Sequence, residues 1–155
     1  LKPQQGTTSL MDASRHVAHA IPAGEGLATL ERGTVTLCYA DRSRRRVRLM
    51  DDAGISLLVD LVYPARLSDG DGLVTADGTI IRVIAKPEPL IEATARDGQQ
   101  LARIARHIAD RRVPVQIMDD RSLRVTPDAD LEQMLRGLGA ETRTVTAPFR
   151  PERGA

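Results

Sequence analysis

The sequence changes character at Lys86-Pro87-Glu88-Pro89, and that break constrains the fold more than any other feature. Two prolines one residue apart withhold backbone donors and keep the residues before them out of helical angles. Before the break, short runs rich in Val, Ile, Leu and Thr predict strands at Thr34 to Tyr39, Arg45 to Met50, Ile55 to Leu61, Gly72 to Ala76 and Thr79 to Ile84. Turn chemistry separates them, at Asp51-Asp52-Ala53-Gly54, Asp69-Gly70-Asp71-Gly72 and Asp77-Gly78. After the break the order becomes strand Leu90 to Ala95, helix Gln99 to Ala109, strand Val113 to Ile117, strand Leu123 to Val125, helix Asp128 to Leu138 and strand Glu141 to Thr146. That βαββαβ order is the split, ferredoxin-like sandwich.

The expected architecture is therefore two small domains, an N-terminal all-β domain followed by an α+β ferredoxin-like domain. Residues 1–13, polar and without a clear period, are expected to be a flexible tail. Residues 14–85 form the β domain, 86–89 the linker, 90–148 the second domain and 149–155 a C-terminal tail. The second helix has Thr126 as its expected N-cap, Pro127 at the first helical position and Gly139 beyond its end. Leu131, Met134, Leu135 and Leu138 fall at helical spacing and predict one buried stripe, which Leu101, Ile104, Ala105 and Ile108 repeat on the first helix.

Composition narrows the function. Aromatic residues are 2% of the 155 (Tyr39, Tyr63 and Phe149), so platforms for stacking bases or sugars are not expected. With 22 basic and 21 acidic residues the net charge is +1, which gives no global attraction for nucleic acid or an anionic membrane. A lone cysteine, Cys38, excludes an intrachain disulfide and any CxxC motif, and its strand-like setting predicts a small buried hydrophobe. No apolar stretch has membrane-spanning length and no signal-peptide pattern is present, so a cytoplasmic protein is the expectation. The Asp69-Gly70-Asp71-Gly72 run lacks the donor and glycine that a calcium loop needs at Leu73 and Val74, and is read as a hairpin turn. No Ser/His/Asp or Cys/His grouping can be assembled, so an enzyme is not expected.

Histidine is the scarce and informative residue, with only His16, His19 and His107. At roughly 100° per residue, His107 projects about 110° from the centre of the first helix's apolar stripe, while Arg103 and Arg106 point further outward. It has two readings, a metal ligand reachable from solvent or a surface imidazole at a helix C-terminus, where a cation is welcome. His16 and His19 are a secondary candidate pair for metal. In a regular strand they would face opposite sides. The alternating Arg42, Arg44, Arg46 and Arg48 suit either an edge guarded against aggregation or a docking surface for an acidic partner.

The run His107-Ile108-Ala109-Asp110-Arg111-Arg112-Val113-Pro114-Val115-Gln116-Ile117 resembles the UreE family, urease accessory metallochaperones that carry nickel. There it commonly reads close to HLGNRHVPVQI. The segments Asp41 to Leu49, Leu131 to Ala140 and Ala147 to Ala155 carry the same resemblance. It implies a first domain similar to the peptide-binding domains of DnaJ-type chaperones. It also implies a homodimer binding nickel at an interface of the second domain, and delivery to the urease apoprotein with its accessory GTPase complex. Zinc or copper would be expected to replace nickel in vitro. His107 matches one histidine of the family run, but Arg112 stands where the usual ligand is, and a guanidinium offers no lone pair. That substitution keeps a second reading open, a scaffold of the urease maturation complex that binds no metal. An RNA-binding ferredoxin-like domain would need exposed aromatics on its central strands, and Ser122 to Thr126 has none.

Overall fold

The computed structural model describes residues 14–26, 28–62 and 66–152. The expected tail at 1–13, Tyr63 and residues 153–155 lie outside them. Ten strands divide into a six-stranded sheet built from residues before the proline break and a four-stranded sheet built from residues after it.

The first sheet comprises β1 (Arg15–Ile21), β2 (Glu31–Leu37), β3 (Arg46–Met50), β4 (Ser56–Asp60), β5 (Gly72–Thr75) and β6 (Ile80–Ala85), in the order β2-β6-β5-β1-β4-β3. Alternation fixes its inner face, because successive strand residues point to opposite sides. Val17, Val35, Leu37, Leu57, Val59, Leu73, Ile81 and Val83 meet there in one buried cluster. The sequence had shown five of these strands. The sixth, β1, is the strand expected around His16 and His19, and a bulge interrupts its alternation. The expected strand at Thr34 to Tyr39 stops at Leu37, since Tyr39–Arg42 forms a one-turn helix, α1, with Cys38 as its N-cap. Cys38 is consequently only half-buried, and its thiol points to Asp41 Oδ2 at 3.5 Å, which corrects the expectation of a buried strand residue.

The second sheet comprises β7 (Pro87–Thr94), β8 (Gln116–Ile117), β9 (Ser122–Val125) and β10 (Glu141–Pro148), in the order β10-β7-β9-β8 and antiparallel throughout. Helices α2 (Gly98–Asp110) and α3 (Ala129–Gly137) complete the ferredoxin-like sandwich. Leu101, Ile104 and Ile108 from α2 and Leu131 and Leu135 from α3 pack with Ile91, Ala93, Leu123 and Val125, so the periodic stripes are the core. Asp97 caps α2 by accepting from the Gln100 amide at 2.8 Å. The cap of α3 is Asp128, accepting from Leu131 N at 2.9 Å, and not Thr126. Asp128 is the residue with extended angles (φ −155°), so Pro127 lies outside the helix. Gly139 has φ +88°, a left-handed turn that ends α3, and a Cβ there would sit 2.7 Å from Gln100 Nε2.

The segment expected to link the domains is the start of a strand. Pro87 and Pro89 stand opposite Pro148 and Thr146 of β10, while β9 joins β7 only from Ile91 onward. With one side of the strand unpaired there, a missing N–H costs no ladder bond, which is where proline is tolerated in a sheet. Lys86 alone separates the two sheets, donating its N–H to Leu37 O at 2.9 Å. The expected C-terminal tail is also docked. Phe149 is fully buried, Arg150 N donates to Gln116 Oε1 and Glu152 N donates to Val115 O at 2.8 Å. The expected strand Val113 to Ile117 contracts to Gln116–Ile117, because Pro114 has no N–H to give.

Candidate functional site

His107 lies in the last turn of α2 and is exposed, with Arg103 and Arg106 exposed beside it. Leu101, Ile104 and Ile108 turn the opposite way into the core and fix the helix rotation. One turn beyond His107, Arg111 lines an open depression with Asp130, Gln133 and Met134 of α3. Each chain thus presents one imidazole at a helix end. Among the described residues no group of three or more His, Cys, Asp or Glu could hold a metal ion, so a closed site in one chain is not available.

Arg112, also exposed, follows the helix cap with φ 56°, the only non-glycine residue with positive φ among those described. This left-handed residue reverses the chain so that Val113 to Val115 can run back beside Glu152. A second depression of about 260 Å³ opens there, lined by Arg66, Arg112, Pro114 and Glu152 among others. Arg66 and Glu152 also line a neighbouring depression of about 240 Å³ that reaches Tyr39, Leu67 and Arg150. No local sequence signal marks this groove, since its walls come from segments far apart in the chain.

The four arginines proposed as one docking row do not form one. Arg42 belongs to α1 and is 3% exposed. Its Nη1 donates to Leu67 O at 3.2 Å, Nη2 donates to Phe149 O, and Nε has no partner. Tyr39 stacks its ring edge-on to Phe149 at 5.0 Å, and the Arg42 guanidinium lies 5.5 Å from the Tyr39 ring centre. Burial lowers the Arg42 pKa, with Glu88 the largest opposing influence. Arg42 is a tie between the first domain and the segment after β10. Arg44, Arg46 and Arg48 are exposed, the last two on β3, which is an edge strand.

His16 and His19 are both exposed on β1. Pairing with β5 shifts register between Val17 and His19, so the expectation that the two rings face opposite sides does not hold. On the helix-free face of the second sheet, Glu92 is 7% exposed and accepts from Arg124 Nε at 2.8 Å and from Arg143 Nη2 at 2.6 Å. Burial would raise its pKa, but the two guanidinium partners more than offset that and hold it below the usual value. Asp77, pulled down to about 2 by the hydroxyls of Thr75 and Thr79, only closes the β5–β6 turn.

Fold and exposure together define a two-domain protein, a β sheet followed by a ferredoxin-like sandwich that offers single imidazoles at its surface. The chain belongs to the UreE family: the model of the UreE urease accessory protein N-terminal domain matches residues 15–86 and that of the C-terminal domain matches 88–155. A urease accessory protein UreE of Rhodopseudomonas palustris (strain HaA2) is 45% identical over 122 residues, covering 79% of this chain and 56% of the relative. One from Chelativorans sp. (strain BNC1) is 44% identical, with 79% of this chain and 77% of the relative covered. A third, from Mesorhizobium japonicum, is 41% identical over 137 residues, covering 87% of this chain and 68% of the relative. The chain thus spans little more than half the length of the Rhodopseudomonas relative. No helix among the described residues is long and apolar enough to cross a membrane.

Proposed function

We propose that this chain is a urease accessory metallochaperone of the cytoplasm, not an enzyme, which carries nickel as cargo on a homodimer and delivers it to the urease apoprotein with its accessory GTPase complex. The observation that carries the reading is His107, exposed at the end of α2 inside the segment matched by the UreE C-terminal domain. Imidazole suits nickel, and two-fold symmetry turns one ligand per chain into a facing pair. A site with so few donors releases its cargo readily, as a carrier must. Exposed Arg44, Arg46 and Arg48 would meet an acidic surface of a protein partner. Nucleic acid and membrane are not partners in this reading.

The test is calorimetric titration of nickel into purified protein and into His107→Ala, with sedimentation to count chains. A nickel ion bound by the parent protein at one per dimer through His107, and missing from the variant's isotherm whatever other sites remain, is the expected result. Equal binding by both proteins removes His107 from the site. A second reading, a maturation-complex scaffold that binds no metal, is favoured by Arg112, whose guanidinium occupies the position of the family's usual ligand. It predicts no nickel binding near micromolar concentration by either protein, together with retained capture of urease maturation components.

A further inference from the structure

We infer that His16 and His19 form a second metal site, a two-imidazole chelate on the outer face of the first sheet that takes a divalent ion such as nickel or zinc. A spacing of three would put the rings on opposite faces of a regular strand. β1 is not regular there. Val17 pairs with Thr75 and His19 with Val74, so β1 spends two residue steps where β5 spends one, and Ala18 is the extra residue of a bulge. On the near side of the bulge, the Ala76 amide donates to His16 O. Against β5, therefore, His16 stands level with residue 76 and His19 with residue 74, positions two apart that share a face.

Burial agrees with this placement. Val17 is completely buried and Ala20 packs against the same core, whereas His16 and His19 are both exposed. Two strand positions that share a face lie about 7 Å apart along the strand, a span that two imidazoles can close around one ion. No hydrogen bond or ion pair to another described residue engages either ring. The surroundings are mixed. Leu58 lies beside His16 in the parallel register with β4, and Asp60 follows it by two residues on the same face, on the side toward His19. Asp60 is 4.0 Å from Arg46, and its carboxylate is the negative group that offsets the nearby Arg46 and Arg48. Imidazole nitrogens with water in the remaining positions suit nickel, copper or zinc, and not calcium or magnesium, which prefer oxygen.

This site is independent of His107, and one experiment separates the two. Nickel chloride is titrated into isotope-labelled protein, and the broadening of backbone amide signals by the paramagnetic ion is mapped for the parent, His107→Ala, His16→Ala, His19→Ala and the double variant. The expected result is broadening of β1 and of its neighbours on β4 and β5, unaffected in His107→Ala. Because the second imidazole of a chelate binds at high effective concentration, either single alanine should weaken this binding at least about tenfold, and the double variant should lose only the small residual affinity of the one ring that a single variant keeps. Zinc, titrated by calorimetry, should follow the same pattern. Both side chains are exposed, so all variants should keep the parent's urea midpoint. Broadening confined to α2, or singles that each keep half of an additive effect, would overturn the chelate without touching the reading of His107.

Discussion

Arg42 offers the sharpest test of the difference between a docking arginine and a structural one. Replacing it with alanine removes two donors, leaving the carbonyls of the buried residues Leu67 and Phe149 without those partners. Each orphaned acceptor costs about 1–3 kcal/mol, and the emptied volume under Tyr39 and Phe149 adds to that. Working the other way, the buried guanidinium carries a desolvation cost, visible in its lowered pKa and in the unpartnered Nε, and the substitution relieves it. The balance is a loss of about 2–4 kcal/mol for Arg42→Ala. Arg46→Ala is the control. Its side chain is 73% exposed and its nearest carboxylate, Asp60, is 4.0 Å away, so the change should stay within about 0.5 kcal/mol. Urea unfolding followed by far-ultraviolet circular dichroism at pH 7 reads both, as a lower midpoint with an unchanged slope for Arg42→Ala only. Equal midpoints for the two variants and the parent would refute the tie and return Arg42 to the docking row.

Glu92→Gln should cost about 2–4 kcal/mol, because it leaves the guanidinium of Arg124, 19% exposed, beside a neutral amide, while Arg143→Ala should cost under about 1 kcal/mol at its 71% exposed position. Since the folded pKa of Glu92 lies below its usual 4.5, its contribution is complete above that value and lost as pH falls through the lower folded pKa, so urea midpoints of parent and Glu92→Gln should converge in acid; a gap that stays constant down to pH 3 would contradict the assignment. Gly72→Ala should cost about 1–3 kcal/mol of stability, read as a lower urea midpoint, as a Cβ there would lie 2.8 Å from Ile80 Cγ2 and 2.9 Å from Ile21 Cγ1, both in a packed sheet. Arg112→His should raise nickel affinity at least about tenfold by adding a second imidazole per chain, in a left-handed backbone that histidine enters more readily than most residues; unchanged affinity by calorimetry would mean that position 112 does not face the cargo. Charge reversal of Arg44, Arg46 and Arg48 to glutamate should leave the urea midpoint in place and abolish capture of an acidic partner, measured by co-purification.

What the sequence could disclose depended on whether the signal was local. The stripes of α2 and α3 repeat at helical spacing within a few turns, and the residues that carry them are the ones that pack, so the βαββαβ half was legible element by element. Most first-sheet strands announced themselves by the same short-range logic. The failures share a different cause. Pro87 and Pro89 read as a linker because proline breaks ladders in general, and only the late start of β9 beside them shows why this strand tolerates two. Arg42 read as a member of an alternating arginine row because its neighbours are charged, yet the carbonyl that holds it comes from residue 149, more than a hundred positions later. The histidine pair turns on the same point from the other direction. Alternation assigned His16 and His19 to opposite faces, and one extra residue in β1, detectable only against its partner strand β5, reverses the assignment. Residue types could thus be read from the sequence, but which side chains share a face was set by pairing register. For His107 the deciding register, on the proposed function, would be the one between two chains: the helix only exposes the imidazole, and a facing copy would have to complete the site.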